Sequence, residues 1–146
     1  MEPRTWIVLA DAASARMYEP QANGRDWTLI AELEHPEGRA RDSELGRDKP
    51  GRVQQSAGGR SAMEPPTPRK KVEMEKFARR IAQALDDALT RKQYDRVVLA
   101  APPAFVGLLR ATLTDRVAKR ISTTLEKDYL HLEPPELRER LSEHLR

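Results

Sequence analysis

Trp6-Ile7-Val8-Leu9-Ala10 is an unbroken apolar run near the start of the chain. A run without polar alternation fits a strand covered on both faces, in the middle of a sheet. A second run of the same kind, DRVVLAA from Asp95 to Ala101, ends at Pro102-Pro103. Two such strands put an α/β layering around a central pair. Outward from the first, Asp11-Ala-Ala-Ser14 makes a tight reversal into a strand over Ala15 to Glu19. Pro20 and Asn23-Gly24 mark the next turn, because Asn-Gly tolerates positive φ. From Trp27 to Glu34 the pattern alternates, with Trp27, Leu29, Ala31 and Leu33 expected on one face and Thr28, Ile30, Glu32 and Glu34 on the other. This is a half-exposed edge strand that closes a three-stranded antiparallel meander.

Beyond residue 71 the period changes to that of a helix. Met74, Phe77, Ile81, Leu85 and Ala88 form one apolar stripe, predicting a helix over 72–91. Glu75/Arg79 and Asp87/Arg91 stand at the i,i+4 spacing of favourable ion pairs. Phe105, Leu108, Leu109 and Leu113 predict a second helix, with Pro103 near its start. A fifth strand is expected over 119–125. A last helix opens at Glu133-Pro-Pro135, with Leu137, Leu141 and Leu145 on its buried side. Right-handed crossovers place strands four and five beside the first. The expected fold is a single α/β domain over 1–146, a mixed five-stranded sheet of order 3-2-1-4-5, ribonuclease-H-like, with helices packed on it.

Between the third strand and the first helix lies Pro36 to Lys71, PEGRARDSELGRDKPGRVQQSAGGRSAMEPPTPRKK. It holds five of the seven glycines, five of the eleven prolines and six apolar residues. Its nine Lys/Arg and five Asp/Glu sum to +4, while the other 110 residues, with 17 basic and 18 acidic side chains, sum to −1. The net charge of +3 therefore resides in this segment. So long a stretch without a packing pattern reads as a flexible, functional loop, its return stiffened by Pro65, Pro66 and Pro68. Arg39, Arg41, Arg47, Lys49, Arg52 and Arg60 are spread between glycines, and the guanidinium fork suits phosphate. Arg69, Lys70 and Lys71 precede the helix, where cations sit badly against its positive end. An anionic partner would relieve that. The strip has no aromatic residue, so contacts to nucleic acid would go to the backbone rather than to bases.

Catalytic chemistry is not written elsewhere. With no cysteine there is no disulfide, thiol nucleophile or thiolate metal site. His35, His131 and His144 are not spaced as metal ligands, and no Walker-type or G-x-S-x-G motif occurs. Asp11 reads as a turn former, Glu73 and Glu75 as helix surface, and Ala100 to Phe105 as a structural turn. No apolar run is long enough to span a membrane. The opening run is brief and holds Asp11, so it fits a strand rather than a signal peptide, and the expected location is cytoplasmic.

Three passages together resemble a bacterial family of host attachment proteins. They are WIVLADAASAR from Trp6, the LEHPEGR…SEL…DKPGR stretch from Leu33, and VVLAAPPAFVGLLR from Val97 with a later EKDYL. The resemblance covers nearly the whole chain; the family's name describes a phenotype, attachment to host cells, and implies no chemistry. More remotely, Ala57-Gly58-Gly59-Arg60-Ser61-Ala62 resembles the G-G-Q-S-A tip in the middle domain of archaeal and eukaryotic class I release factors. There the tip also follows a strand meander and precedes a long basic helix. This likeness implies tRNA or ribosome contact through Gly58, Gly59 and Arg60, and possible peptidyl-tRNA hydrolysis. Arg60 stands where those factors carry glutamine, and a guanidinium that stays protonated is a poor activator of water. The reading is thus a non-catalytic RNA- or ribosome-binding module without cofactor or metal. A release-factor-like hydrolase and a protein–protein attachment module are the alternatives.

Overall fold

The computed structural model describes residues 3–22, 25–38 and 67–145. Strand β1 (Thr5–Ala10) is buried along its whole length, as its unbroken apolar run requires. It pairs antiparallel with β2 (Ser14–Pro20), Val8 opposite Met17, and parallel with β4 (Arg96–Ala100), Val8 opposite Leu99. β3 (Trp27–Glu34) pairs antiparallel with β2, and β5 (Ile121–Leu125) parallel with β4. The sheet order is β3-β2-β1-β4-β5, as expected, with β3 at one edge.

Alternation along the two central strands feeds two cores. Trp6, Val8, Ala10, Val97 and Leu99 face helix α1 (Pro68–Thr90) and helix α2 (Pro103–Thr112). Ile7, Leu9, Val98 and Ala100 face helix α4 (Pro134–Leu141). Between α2 and β5 lies a short helix, α3 (Asp115–Ala118), capped by the Thr114 side chain. It was not expected, and it delays the fifth strand to Ile121. α1 and α3 are pinned by Arg116, whose Nε donates to Asp86 Oδ1 at 2.9 Å. Tyr94, its ring tilted against Trp6 with centroids 5.0 Å apart, donates its hydroxyl to Leu85 O at 2.8 Å. Burial pushes its pKa up to about 12, so it stays a neutral donor.

Three local expectations are corrected. The strict alternation of β3 breaks at a register shift between Met17 and Tyr18, where Ile30 is passed over. Trp27 therefore packs with the α4-side core, while Ala31 and Leu33 pack with the α1 side. Helix α1 starts at Pro68 rather than 72, because Thr67 accepts from the Lys70 N–H and Pro68 fits the first helical position. Arg69, Lys70 and Lys71 lie inside its first turn instead of before it. Neither Glu75–Arg79 nor Asp87–Arg91 is among the ion pairs of the described residues; Asp87 accepts from Gln83 at 3.0 Å. The Asn23-Gly24 turn lies outside the described residues.

Candidate functional site

The ends of the long basic segment come together beside the start of β2. Asp11, just past β1, accepts from the N–H groups of Ala13 and Ser14, both at 2.8 Å. It is a turn former, as its sequence context indicates. That turn presents Ala13 O to the His35 N–H at 2.8 Å and Ser14 Oγ to Glu34 Oε1 at 3.3 Å. His35 leaves β3 with its side chain on the α1 side, 11% exposed, and its ring stacks on Phe77 at 5.4 Å. Its Nε2 lies 2.9 Å from Glu73 Oε1. An ionised carboxylate can only accept, so the imidazole donates here. This hydrogen bond, more than the nearby Lys76 ammonium, holds the Glu73 carboxyl below its ordinary range against the opposing effect of desolvation. Arg80 also lies over the Phe77 ring, 5.5 Å from its centre, and donates to Glu34 O at 2.7 Å.

Through His35 and Arg80, the end of β3 is fastened to the first four turns of α1. The Pro36–Gly38 3-10 turn follows directly, bringing Glu37 Oε1 to 3.8 Å from His35 Nδ1. His35, Glu37 and Glu73 offer ligand atoms within 4.8 Å of one another, a spacing that could hold a cation. The two imidazole nitrogens, however, face different carboxylates, and Glu73 Oε2 is shared with Lys76 at 3.4 Å. The arrangement is a clamp of hydrogen-bonded side chains. Ser14, beside it, is buried and donates to Glu34.

Of the anion-binding residues read from sequence, Arg69, Lys70 and Lys71 occupy the first turn of α1, a few residues from the clamp. Arg39, Arg41, Arg47, Lys49, Arg52, Gly58, Gly59 and Arg60 lie outside the described residues, as does the expected flexibility of that segment. Sequence reasoning placed Glu73 on the helix surface and did not join it to His35. The available signal was the period-two pattern: Ala31 and Leu33 face α1, and His35 is the next residue in that series. His131 is exposed, and His144 lies in the 3-10 turn Ser142–His144 near Glu143.

A second concavity, an open groove of about 1240 Å³, lies at the far end of the sheet between Trp27 and α4. Its cations serve the fold. Arg4 is bidentate on Glu19, Arg96 bonds Thr5 Oγ1 and Leu145 O, and Arg138 bonds Arg25 O. Ala100 to Phe105 is a packed turn, with Phe105 buried 6.1 Å from Phe77. No described helix is long and apolar enough to cross a membrane.

Among solved structures, an archaeal protein matches 97% of this chain and 34% of its own at TM-score 0.54 and 12% identity. The archaeal translation termination factor aRF1 matches 83% of this chain and 29% of its own at TM-score 0.48 and 12% identity. A Ppx/GppA phosphatase from Aquifex aeolicus matches 85% and 35%, at TM-score 0.39 and 13% identity. This chain thus spans about a third of each. At such identity the first likeness is one of fold alone. No curated protein matches. The family model described as "Protein required for attachment to host cells" matches residues 6–141. From Trp6 in β1 to Leu141 at the end of α4, the match takes in all five strands of the sheet and helices α1 to α4 but for Thr5, and the chain belongs to this family.

Proposed function

We propose that the protein is a non-catalytic RNA-binding module that engages transfer or ribosomal RNA through the basic segment 36–71. Arg39, Arg41, Arg47, Lys49, Arg52 and Arg60 contact phosphates, Gly58-Gly59 lets the backbone approach, and Arg69, Lys70 and Lys71 hold the return. The observation that carries this reading is the charge segregation: +4 in 36 residues against −1 in the other 110. The His35–Glu73 clamp supports it, since it gives the charged segment a rigid root. Contact with phosphates alone makes the binding steeply salt-dependent and indifferent to sequence.

Purified protein should bind tRNA or ribosomes at micromolar or tighter affinity in 50 mM salt. With six to ten phosphate contacts, affinity should fall about 10³-fold or more by 200 mM. Replacing residues 39–66 with a short Gly/Ser linker should abolish binding. If that variant binds RNA as the parent does, the reading is wrong. A partner captured from lysate whose association survives nuclease and needs the segment would replace RNA with a protein.

A further inference from the structure

Charge on α1 is distributed against the helix's own electrostatics. Of the first 13 residues, Pro68 to Arg80, seven are exposed: Pro68, Arg69, Lys71, Val72, Lys76, Arg79 and Arg80. Five of these seven are cations and none is acidic. Both glutamates of the stretch are half-buried, and Glu73 is engaged by His35. The first turn has no acid and the last turn no base, and Asp86 and Asp87 stand toward the C-terminal end. A helix favours anions at its start and cations at its end, so the cations of the first turn and Asp87 in the last turn work against the helix dipole. Packing does not ask for Arg69, Lys76 or Arg79 either, since the buried stripe from Met74 to Ala88 lies on the opposite side; Arg80, by contrast, also serves the junction with β3.

Arg69, Lys76 and Arg80 are spaced i, i+7, i+11, which at 3.6 residues per turn sets them in one line along the axis. Arg79 flanks that line. The three span about 16 Å at 1.5 Å per residue. Arg69 and Arg79 have no hydrogen-bond or ion-pair partner among the described residues, and Lys76 keeps half its side chain exposed while touching Glu73. The partial positive charge of the helix N-terminus adds to the same field.

We infer that the exposed face of α1 carrying Arg69, Lys76, Arg79 and Arg80 is a docking surface for the phosphate backbone of RNA. It rests on the RNA-binding reading above and extends it from the loop onto a rigid element. The rigid line fixes where the backbone lies relative to the sheet, while segment 36–71 supplies further charge. Three of the four cations are arginine, whose fork bonds phosphate oxygens in pairs. Among the described residues Val72 is the one large apolar side chain exposed beside the line, too little to insert into a bilayer, so RNA fits better than an anionic membrane.

The test is Lys76→Gln/Arg79→Gln in the full chain, which spares Arg80 because it also ties Glu34 O. Arg110→Gln on α2 serves as a single-charge control. Binding of unfractionated tRNA and of a U20 oligonucleotide is titrated from 50 to 200 mM salt, with the melting temperature read alongside. The double variant should keep its fold, lose at least tenfold in affinity at 50 mM, and lower the magnitude of the salt slope by about 1.5. Arg110→Gln should leave both unchanged. Affinity and slope like the parent's overturn the proposal, and if the 39–66 linker variant still fails to bind, the loop reading survives it. Loss of binding to phosphatidylserine vesicles with RNA binding intact also overturns it, in favour of a membrane surface.

Discussion

Lys92 is the one described non-glycine residue with positive φ, at 58°. It closes α1: its N–H reaches Leu89 O at 2.9 Å, and Gln93 N–H reaches Ala88 O at 3.0 Å. This pair of bonds is the Schellman ending, whose left-handed position favours glycine. A side chain there costs about 1–2 kcal/mol, partly offset by glycine's greater freedom when unfolded. Lys92→Gly should therefore stabilise by about 1 kcal/mol, seen as a rise of about 3 °C in thermal melts. At Glu73 the sign runs with pH. Its folded-state pKa is depressed, so its contribution is present above the unfolded value near 4.5 and is lost as pH falls through the lower folded value. Glu73→Gln should cost about 0.5–1 kcal/mol at neutral pH. In denaturant titrations the gap from the parent should close progressively below about pH 4.5. A gap constant down to pH 3 would show that the His35 contact is not what stabilises this junction.

Elements buried on two sides were legible in the chain, because their composition has few alternatives. WIVLA could only be a central strand, and the Met74 to Ala88 stripe only a helix face. What could not be read depends on events that leave no periodic mark. The bulge at Ile30 inserts one residue without changing hydrophobic content, so Trp27 and Leu33 look equivalent when they face opposite cores. The early start of α1 was hidden because three cations in a first turn oppose the dipole, and the Thr67-Pro68 cap outweighs them. His35 and Glu73 are 38 residues apart, and only the meeting of β3 with α1 makes them partners. Helix α2 has a slack position of its own. Gly107 is exposed in mid-helix, and a Cβ there would meet nothing within 4 Å. Gly107→Ala should add about 0.5–1 kcal/mol by propensity alone, measurable by urea titration with an unchanged m-value.

The whole molecule is two unequal cores on one sheet. Among the described residues, twenty-one buried ones form the cluster on the α1 side, and eight form the one on the α4 side. Helix α4 is eight residues long, too short to hold helical structure in water alone. Its docking rests on Leu137 and Leu141, both fully buried, with Arg138 tied to Arg25 O and Arg96 holding Leu145 O. Such a thin layer is the natural unit to open first. Truncating a buried leucine costs about 2–5 kcal/mol, but where the loss is felt depends on whether the layers unfold together. Leu137→Ala should strip hydrogen-exchange protection from α4 while leaving the slowest amides of α1 nearly as slow as in the parent. Ile81→Ala, in the larger core, should instead accelerate the slowest amides throughout the sheet. If Leu137→Ala lowers protection in α1 as much as in α4, the two cores form one cooperative unit. The candidate site would then lose stability with any damage to the far face. If protection separates, the clamp of His35 and Glu73 and the basic line on α1 belong to the stable half, and a partner can meet a rigid surface while the α4 side opens and closes.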